Sequence, residues 1–164
     1  KERGPILLLW DQSVSMDPWN ELTAALVFSI YEVAQAEKRK LCIIQFASKH
    51  KITPITSPAK IVEVYDHPLS GGTEFDKAFA AARKWVEENS KVAADMDFVL
   101  VSDGQFHLAE THKQYVAAQK RKFIYLQTGS AVHLEMATVT LPISRDESEF
   151  EAVGEKFIQE VMKA

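Results

Sequence analysis

Apolar residues form four short runs along the chain with almost no polar interruption. Such runs are typical of strands that are buried on both faces, as in a parallel sheet. They cover residues 6–10, 41–46, 98–101 and 123–126. A fifth candidate strand, residues 138–141, alternates between apolar and polar positions. Residues 52–55 follow the second run after a short polar link, which permits a hairpin with an antiparallel edge strand, where Pro54 is tolerated.

Apolar positions at helical spacing fall between these predicted strands. The first predicted helix has Asp17 as its N-cap, Pro18 as its first helical residue and a broad apolar face that extends to Val33. Three further segments show the same spacing and are predicted to be helices. They cover residues 75–88, 110–119 and 147–162.

The alternation of strands and helices predicts the fold class. We expect an α/β fold, built as a three-layer, doubly wound (Rossmann-like) and mostly parallel sheet with one antiparallel edge strand. The length of 164 residues suits one domain, so residues 1–164 are expected to form a single domain. Because the chain begins at Lys1 rather than at Met, we expect it to be part of a longer protein.

Charge and cysteine content exclude some functions. The net charge of −4 argues against binding to a nucleic-acid backbone. The basic clusters at residues 38–40 and 120–122 are interpreted as solvated helix ends, where they favour the helix dipole. Cys42, the only cysteine, lies in a predicted strand and is expected to be buried and unreactive. No apolar run approaches the roughly 20 residues that span a membrane, so we expect no membrane insertion. A chain that can form no internal disulfide is compatible with a reducing compartment, and we expect a cytoplasmic location.

Polar residues cluster where the predicted strands end. Asp11, Ser13 and Ser15 follow the first strand, Asp103 follows the third apolar run, and Thr73 lies in a glycine-containing loop before a predicted helix. Ligands bind outside the carboxyl ends of the strands in doubly wound sheets, so these residues are expected to meet. Two carboxylates and three hydroxyls without His or Cys favour Mg²⁺ or Mn²⁺ over Zn²⁺. An incomplete protein shell leaves water positions that a partner's carboxylate can replace.

Each of these residues also has a purely structural interpretation. Asp11, Ser13 and Ser15 are residue types that cap helices and form turns. Thr73 can be the N-cap of the helix that follows it. Asp103 followed by glycine is also typical of an ordinary turn. The case for a metal site therefore depends on all three segments occurring together.

In their order and spacing, these three segments resemble the metal-ion-dependent adhesion site (MIDAS) of von Willebrand factor A (vWA) domains. The resemblance covers essentially the whole chain. It implies that Ser13, Ser15 and Thr73 coordinate the ion directly or nearly so. It also implies that Asp11 and Asp103 act mostly through bound water and hydroxyl orientation.

One residue departs from the pattern of that family. Many vWA domains have glycine at the position of Val14 in this chain. A β-branched residue resists a positive φ, so the turn at Val14 is expected to use ordinary backbone angles. The departure leaves open a weakened or metal-free site.

Within the family, the chain resembles most the intracellular bacterial and archaeal branch that works with MoxR-type AAA+ ATPases (ViaA-like and CoxE-like proteins). Residues 36–40, 45–48 and 69–74 carry this second resemblance. It implies a non-enzymatic adaptor that captures an Asp or Glu of a target protein, which the ATPase remodels or matures. Two alternatives stay open. One is a Mg²⁺-dependent phosphohydrolase with Asp11 as nucleophile, although a serine stands where such enzymes place a second carboxylate; the other is a vWA domain with a non-functional metal site.

Overall fold

The computed structural model describes residues 3–91, 95–119, 121–129 and 132–163 of the chain. These residues form a six-stranded sheet in which β2 and β3 are antiparallel and all other neighbours are parallel. The strands are β1 (Ile6–Asp11), β2 (Leu41–Phe46), β3 (His50–Ile55), β4 (Asp97–Ser102), β5 (Phe123–Gln127) and β6 (Val139–Pro142). The predicted fold class, a mostly parallel sheet with one antiparallel edge strand, is confirmed.

The order of the strands across the sheet is β3-β2-β1-β4-β5-β6. β1 therefore lies between β2 and β4. The chain first places β2 and β3 on one side of β1, and then places β4, β5 and β6 on the other side. Trp10 of β1 is opposite Val101 of β4, and Asp11 is opposite Phe46 of β2. The carboxyl ends of β1 and β4 thus form the switch point of the sheet, where doubly wound folds bind ligands.

Five α-helices cover the two faces of the sheet among the described residues. They are α1 (Asn20–Ala36), α2 (Pro58–Asp66), α3 (Phe75–Glu88), α4 (Glu110–Ala118) and α5 (Glu147–Met162). Alternate residues of β1 point to opposite faces, so Leu8 packs in the core beneath α1, α2 and α5, and Leu9 in the core beneath α3 and α4. The result is the expected three-layer arrangement.

The start of the first helix differs from the prediction. Asp17 and Pro18 lie inside a 3₁₀ helix, Val14–Trp19, and Trp19 is the N-cap of α1. The chain winds before Pro18 because the N–H of Met16 donates to the carbonyl of Ser13, and the Met16 side chain is buried. Such 3₁₀ turns are frequent at the starts of α-helices. The prediction of Asp17 as N-cap is therefore wrong.

The sequence pattern did not predict α2. Its signals are nevertheless present, because Pro58 occupies the first turn of the helix after Ser57, which is the N-cap. Ile61 and Val64 are its buried positions and join the core that contains α1. The helix is short and its apolar face is narrow, which explains why periodicity alone does not reveal it.

The basic cluster at residues 38–40 is not entirely solvated. Arg39 is only 2% exposed and forms a salt bridge with Asp97, with 2.9 Å between Nη2 and Oδ2. Its Nε also donates to the carbonyl of Gly4. Burial lowers the pKa of Arg39, and Asp97 opposes that shift. The interpretation as a solvated helix end is thus wrong for Arg39; in the second basic cluster, Lys120 lies outside the described residues.

Two further expectations concern the core and the membrane. Cys42 is buried, and burial raises the pKa of its thiol to about 12, as expected for an unreactive cysteine. No helix in the described part of the chain is both long and apolar enough to cross a bilayer.

Candidate functional site

The candidate site begins at Asp11, the last residue of β1. Its side chain is 0% exposed. Oδ1 accepts hydrogen bonds from the backbone N–H of Ser13 at 2.9 Å and from the Ser13 hydroxyl at 2.6 Å. Oδ2 accepts a hydrogen bond from the hydroxyl of Ser102, the last residue of β4, at 2.5 Å. Asp11 therefore ties the turn after β1 to the end of the neighbouring strand.

The hydroxyl of Ser13 is held in a defined orientation. Because its proton points to Asp11, its lone pairs are left to accept a hydrogen bond or to bind a cation. The Ser15 hydroxyl lies 3.2 Å from the Ser13 hydroxyl. Adjacent oxygen ligands of an octahedral Mg²⁺ lie about 3 Å apart, given metal–oxygen distances of about 2.1 Å. Ser13 is buried and Ser15 is exposed, so this pair of oxygens opens towards solvent.

The loop that carries Thr73 is attached to the same turn. The N–H of Val14 donates to the carbonyl of Gly71 at 3.2 Å, and the N–H of Glu74 donates to the carbonyl of Ala47 at 2.8 Å. Gly71 has a φ of +105°, which favours glycine. Thr73 lies half-buried between these two attachments. Glu74, not Thr73, is the N-cap of α3, so the capping interpretation of Thr73 is wrong.

Asp103 comes to the site from β4. It is buried, and its Oδ1 accepts a hydrogen bond from the N–H of Gln105 at 3.0 Å. Gly104 has a φ of +75°, and its N–H donates to the Ser102 hydroxyl at 3.0 Å. The Ser102 hydroxyl thus connects Asp11 to the turn after Asp103. The structure therefore brings the β1 and β4 segments together, with the Thr73 loop bonded to the first of them.

Comparisons with known proteins identify this architecture. No family model matches the chain, and no curated protein matches it either. Among solved structures, the VWA domain of SpRpn10 superimposes with a TM-score of 0.76 at 10% identity, over 94% of this chain and 95% of that one. The chain has a von Willebrand factor A fold.

Two further solved structures share the vWA fold. The von Willebrand factor type A protein from Catenulispora acidiphila matches with a TM-score of 0.70 at 16% identity, over 99% of this chain and 44% of that one. The conserved hypothetical protein BatB from Bacteroides thetaiotaomicron matches with a TM-score of 0.67 at 15% identity, over 98% of this chain and 100% of that one. At these identities, the similarity establishes the fold alone.

The electrostatics of this vWA fold follow from burying two carboxylates at one edge of the sheet. Burial raises the pKa of Asp11, the Asp103 carboxylate raises it further, and the hydrogen bonds from Ser102 and Ser13 oppose the rise. Burial is also the main cause that raises the pKa of Tyr125, with a further contribution from Asp103. A cation at this edge offsets the negative charge of both carboxylates.

The donor set of the site fits a hard divalent cation. Its donor groups are carboxylates and hydroxyls, which suit Mg²⁺ or Mn²⁺ better than Zn²⁺. Over residues 3–91, 95–119, 121–129 and 132–163, no group of three or more His, Cys, Asp or Glu side chains could hold a metal. Any ion here would thus depend on serine and threonine hydroxyls. The residues with this role would be Ser13, Ser15 and Thr73, supported by Asp11 and Asp103.

Val14 adapts to this turn as expected from its branched side chain. Lys38 is the one described residue other than glycine with a positive φ, so Val14 has ordinary backbone angles. Its side chain is 59% exposed and stands at the rim of the site. Val14 therefore does not strain the turn that presents Ser13 and Ser15.

Two supporting residues were missed by sequence reasoning. Ser102 bonds to Asp11, and the parallel register of β1 with β4 was the signal that could have placed them side by side. Gln12 accepts hydrogen bonds through Oε1 from Gln45 Nε2 at 2.9 Å and from the N–H of Leu69 at 3.0 Å. Gln12 therefore connects β2 to the start of the loop that carries Thr73. No sequence pattern indicates this contact, because it depends on a loop position.

Proposed function

We propose that this vWA domain is a protein-binding module that captures an Asp or Glu of a partner at a bound Mg²⁺ or Mn²⁺. Ser13, Ser15 and Thr73 would hold the ion, and Asp11 and Asp103 would act through water and hydroxyl orientation. The observation that carries the proposal is the Ser13 hydroxyl, which donates to the buried Asp11 and lies 3.2 Å from the Ser15 hydroxyl. When bound, the ion would supply an open coordination position for the partner's carboxylate.

Binding is proposed in preference to catalysis because of the environment of Asp11. A phosphohydrolase of the alternative kind would need this carboxylate as a nucleophile. Both of its oxygens accept hydrogen bonds, and the side chain is buried. Attack on a phosphorus atom would need one of these oxygens to be accessible to a substrate, and the side chain is 0% exposed. The same contacts suit a group that orients a neighbouring hydroxyl.

The proposed partner is a MoxR-type AAA+ ATPase together with the protein that it remodels or matures. Support comes from the resemblance of residues 36–40, 45–48 and 69–74 to the branch that works with such ATPases. The third of these segments includes Gly71 and Thr73 beside the candidate metal centre. A cytoplasmic location is part of the same proposal.

Metal binding is tested first, by isothermal titration of the chain with Mg²⁺ and Mn²⁺. We expect one site in the unmodified protein and none in the double variant Ser13→Ala with Ser15→Ala. Ser29→Ala is the matched control, because its hydroxyl bonds within the exposed face of α1 and should leave binding unchanged. Equal binding by the double variant and the control would exclude the proposed ligands.

Partner capture is tested separately with a purified MoxR-type ATPase from the same genome. The immobilised chain should retain the ATPase or its target in Mg²⁺ and release it in EDTA. The Ser13→Ala and Ser15→Ala double variant should fail to capture it, while Ser29→Ala should not differ from the unmodified chain. Capture that persists in both EDTA and the double variant contradicts a metal-dependent mechanism.

A further inference from the structure

A cavity of about 430 Å³ lies next to the candidate metal centre, on the side of α2. Val14 and Asp17 line it from the 3₁₀ helix, and Tyr65 and Asp66 line it from the end of α2. Ser70, which precedes the glycines of the Thr73 loop, also contributes to its wall. Because Val14 lies between Ser13 and Ser15, a peptide segment that reaches the metal can also enter this cavity.

The charged side chains that line the cavity are all negative. Asp17 and Asp66 are both exposed, and no lysine, arginine or histidine lines the cavity. Neither carboxylate has a salt-bridge partner within the described part of the chain. Two unpaired carboxylates on facing elements of one cavity favour a cationic ligand.

The remaining lining adds an aromatic ring and an unsatisfied donor. The Tyr65 side chain is 38% exposed at the cavity wall, where it can stack with a flat cation. Trp10 also lines the cavity and is 2% exposed, and its indole N–H has no acceptor among the described residues. A buried N–H without an acceptor is destabilising, so a peptide carbonyl that reaches it from the cavity would be favoured.

We propose that this cavity binds an arginine side chain of the same partner segment whose acidic residue binds the metal. This inference rests on the proposed function and adds a second recognition element to it. Arginine fits better than lysine because its planar guanidinium offers five donors, which can serve Asp17 and Asp66 at once while its face stacks on Tyr65. The partner would therefore be selected by an acidic residue and an arginine at a defined spacing.

The test uses fluorescently labelled peptides that are otherwise composed of glycine and serine. Each carries one aspartate and one arginine, and the arginine is moved up to about six residues to either side, roughly 20 Å of extended chain. Matched peptides carry citrulline, which has the shape of arginine without the charge. In Mg²⁺, we expect one range of spacings at which arginine peptides bind about three- to tenfold more tightly than citrulline peptides.

The double variant Asp17→Asn with Asp66→Asn should abolish this preference and leave the affinity of the citrulline peptides unchanged. If arginine and citrulline peptides bind the unmodified chain equally at every spacing, the inference is wrong, while Mg²⁺-dependent binding of both would still support the proposed function. If no peptide shows Mg²⁺-dependent binding, the metal-dependent function fails.

A second measurement examines the cavity without metal. N-acetylarginine amide and N-acetylcitrulline amide are titrated in EDTA, and the indole N–H resonance of Trp10 is followed by NMR. Trp19→Phe and Trp85→Phe assign this resonance by elimination. A shift caused by the arginine compound alone, and lost in the Asp17→Asn and Asp66→Asn double variant, supports the cavity independently of the metal. Equal responses to both compounds, or none, contradict it.

Discussion

At the scale of single residues, the candidate site depends on one buried carboxylate. Asp11 accepts three hydrogen bonds, two of them from Ser13 and one from Ser102. These contacts orient the Ser13 hydroxyl and join two strands that are distant in sequence. Burial also disfavours the charged form of this carboxylate and so raises its pKa. The residues that satisfy Asp11 should therefore matter for stability as well as for metal binding.

We predict that Ser102→Ala destabilises the protein by about 1–3 kcal/mol. The substitution removes the donor to Asp11 Oδ2 and the acceptor of the Gly104 N–H, and both groups are buried. Urea unfolding followed by circular dichroism measures the change. Ser29→Ala, whose hydroxyl bonds only within an exposed helix face, should differ little from the unmodified chain. Equal stability of the two variants would mean that Ser102 does not support Asp11.

We predict that Gly104→Ala destabilises the loop after β4, whereas Gly72→Ala does not. At Gly104, φ is +75° and an added Cβ would lie 2.6 Å from the Tyr125 hydroxyl, whereas at Gly72 it would meet nothing within 4 Å. The left-handed backbone alone costs a residue with a side chain about 1–2 kcal/mol. Thermal unfolding of both variants, and of Gly104→Ala with Tyr125→Phe, measures the difference. The Tyr125→Phe change should recover part of the loss, because it removes the atom that clashes.

At the scale of elements, the sequence pattern predicts most of the fold. The bounds of α3 and α5 match the prediction, because their apolar residues recur at helical spacing over several turns. The edge strand β3 was also found, since its short link to β2 permits a hairpin. The 3₁₀ helix and α2 were not found, because they are short and depend on tertiary contacts of Met16 and Ile61.

The candidate site could likewise be predicted from the sequence only in part. The topology predicts that Asp11 and Asp103 share one edge of the sheet, because β1 and β4 are adjacent and parallel. The sequence does not reveal the contacts of Gln12 or the hydrogen bond between Val14 and Gly71, since both depend on the path of a loop. Patterns that repeat along an element are visible in a sequence, and contacts made once between loops are not.

One element-level prediction concerns the start of α5. Asp146 is its N-cap, and hydrogen bonds from the Ser148 hydroxyl and the Glu149 N–H lower the pKa of Asp146 below its ordinary value. A depressed pKa stabilises the fold above the unfolded-state value, and this contribution is lost as pH falls through the folded-state value. Asp146→Ala should therefore be less stable than the unmodified chain at neutral pH, and the difference should shrink as the pH falls below the ordinary aspartate pKa of about 3.9.

The measurement for α5 is denaturant unfolding across this pH range. Glu151→Ala is the matched control, because Glu151 is an exposed carboxylate on the same helix away from its first turn. The stability difference between Glu151→Ala and the unmodified chain should not disappear as the pH falls. A difference for Asp146→Ala that is independent of pH would indicate that the charge of its carboxylate does not stabilise the cap.

At the scale of the whole molecule, the end of the sheet where the parallel strands finish and the end where they begin have different roles. The candidate metal centre and the proposed arginine cavity lie at the carboxyl ends of the strands. At the opposite end, where the parallel strands begin, Arg39 forms a salt bridge with Asp97, the first residue of β4. Arg39 also donates hydrogen bonds to the backbone carbonyls that precede β1. The buried ion pair therefore joins the start of β4 to the segment that precedes β1.

We predict that Asp97→Asn lowers the free energy of unfolding by about 3–5 kcal/mol, because it leaves the buried Arg39 without its carboxylate partner. Arg39→Met should cost less, because Asp97 keeps the partly exposed Arg3 at 3.4 Å as a counter-charge. The two side chains are almost fully buried and 2.9 Å apart. The double variant should lose less than the sum of the two single losses, since it removes both charges. Urea unfolding of all four proteins gives this coupling. Glu63→Gln breaks the exposed pair with Lys60 and should cost less than about 1 kcal/mol.

Mg²⁺ binding measured below the unfolding transition should be unchanged in every variant, because the ion pair and the metal centre lie at opposite ends of β4. Additive losses would show that Arg39 and Asp97 do not stabilise each other. Weaker Mg²⁺ binding by the folded variants would show that the two ends of the sheet are coupled.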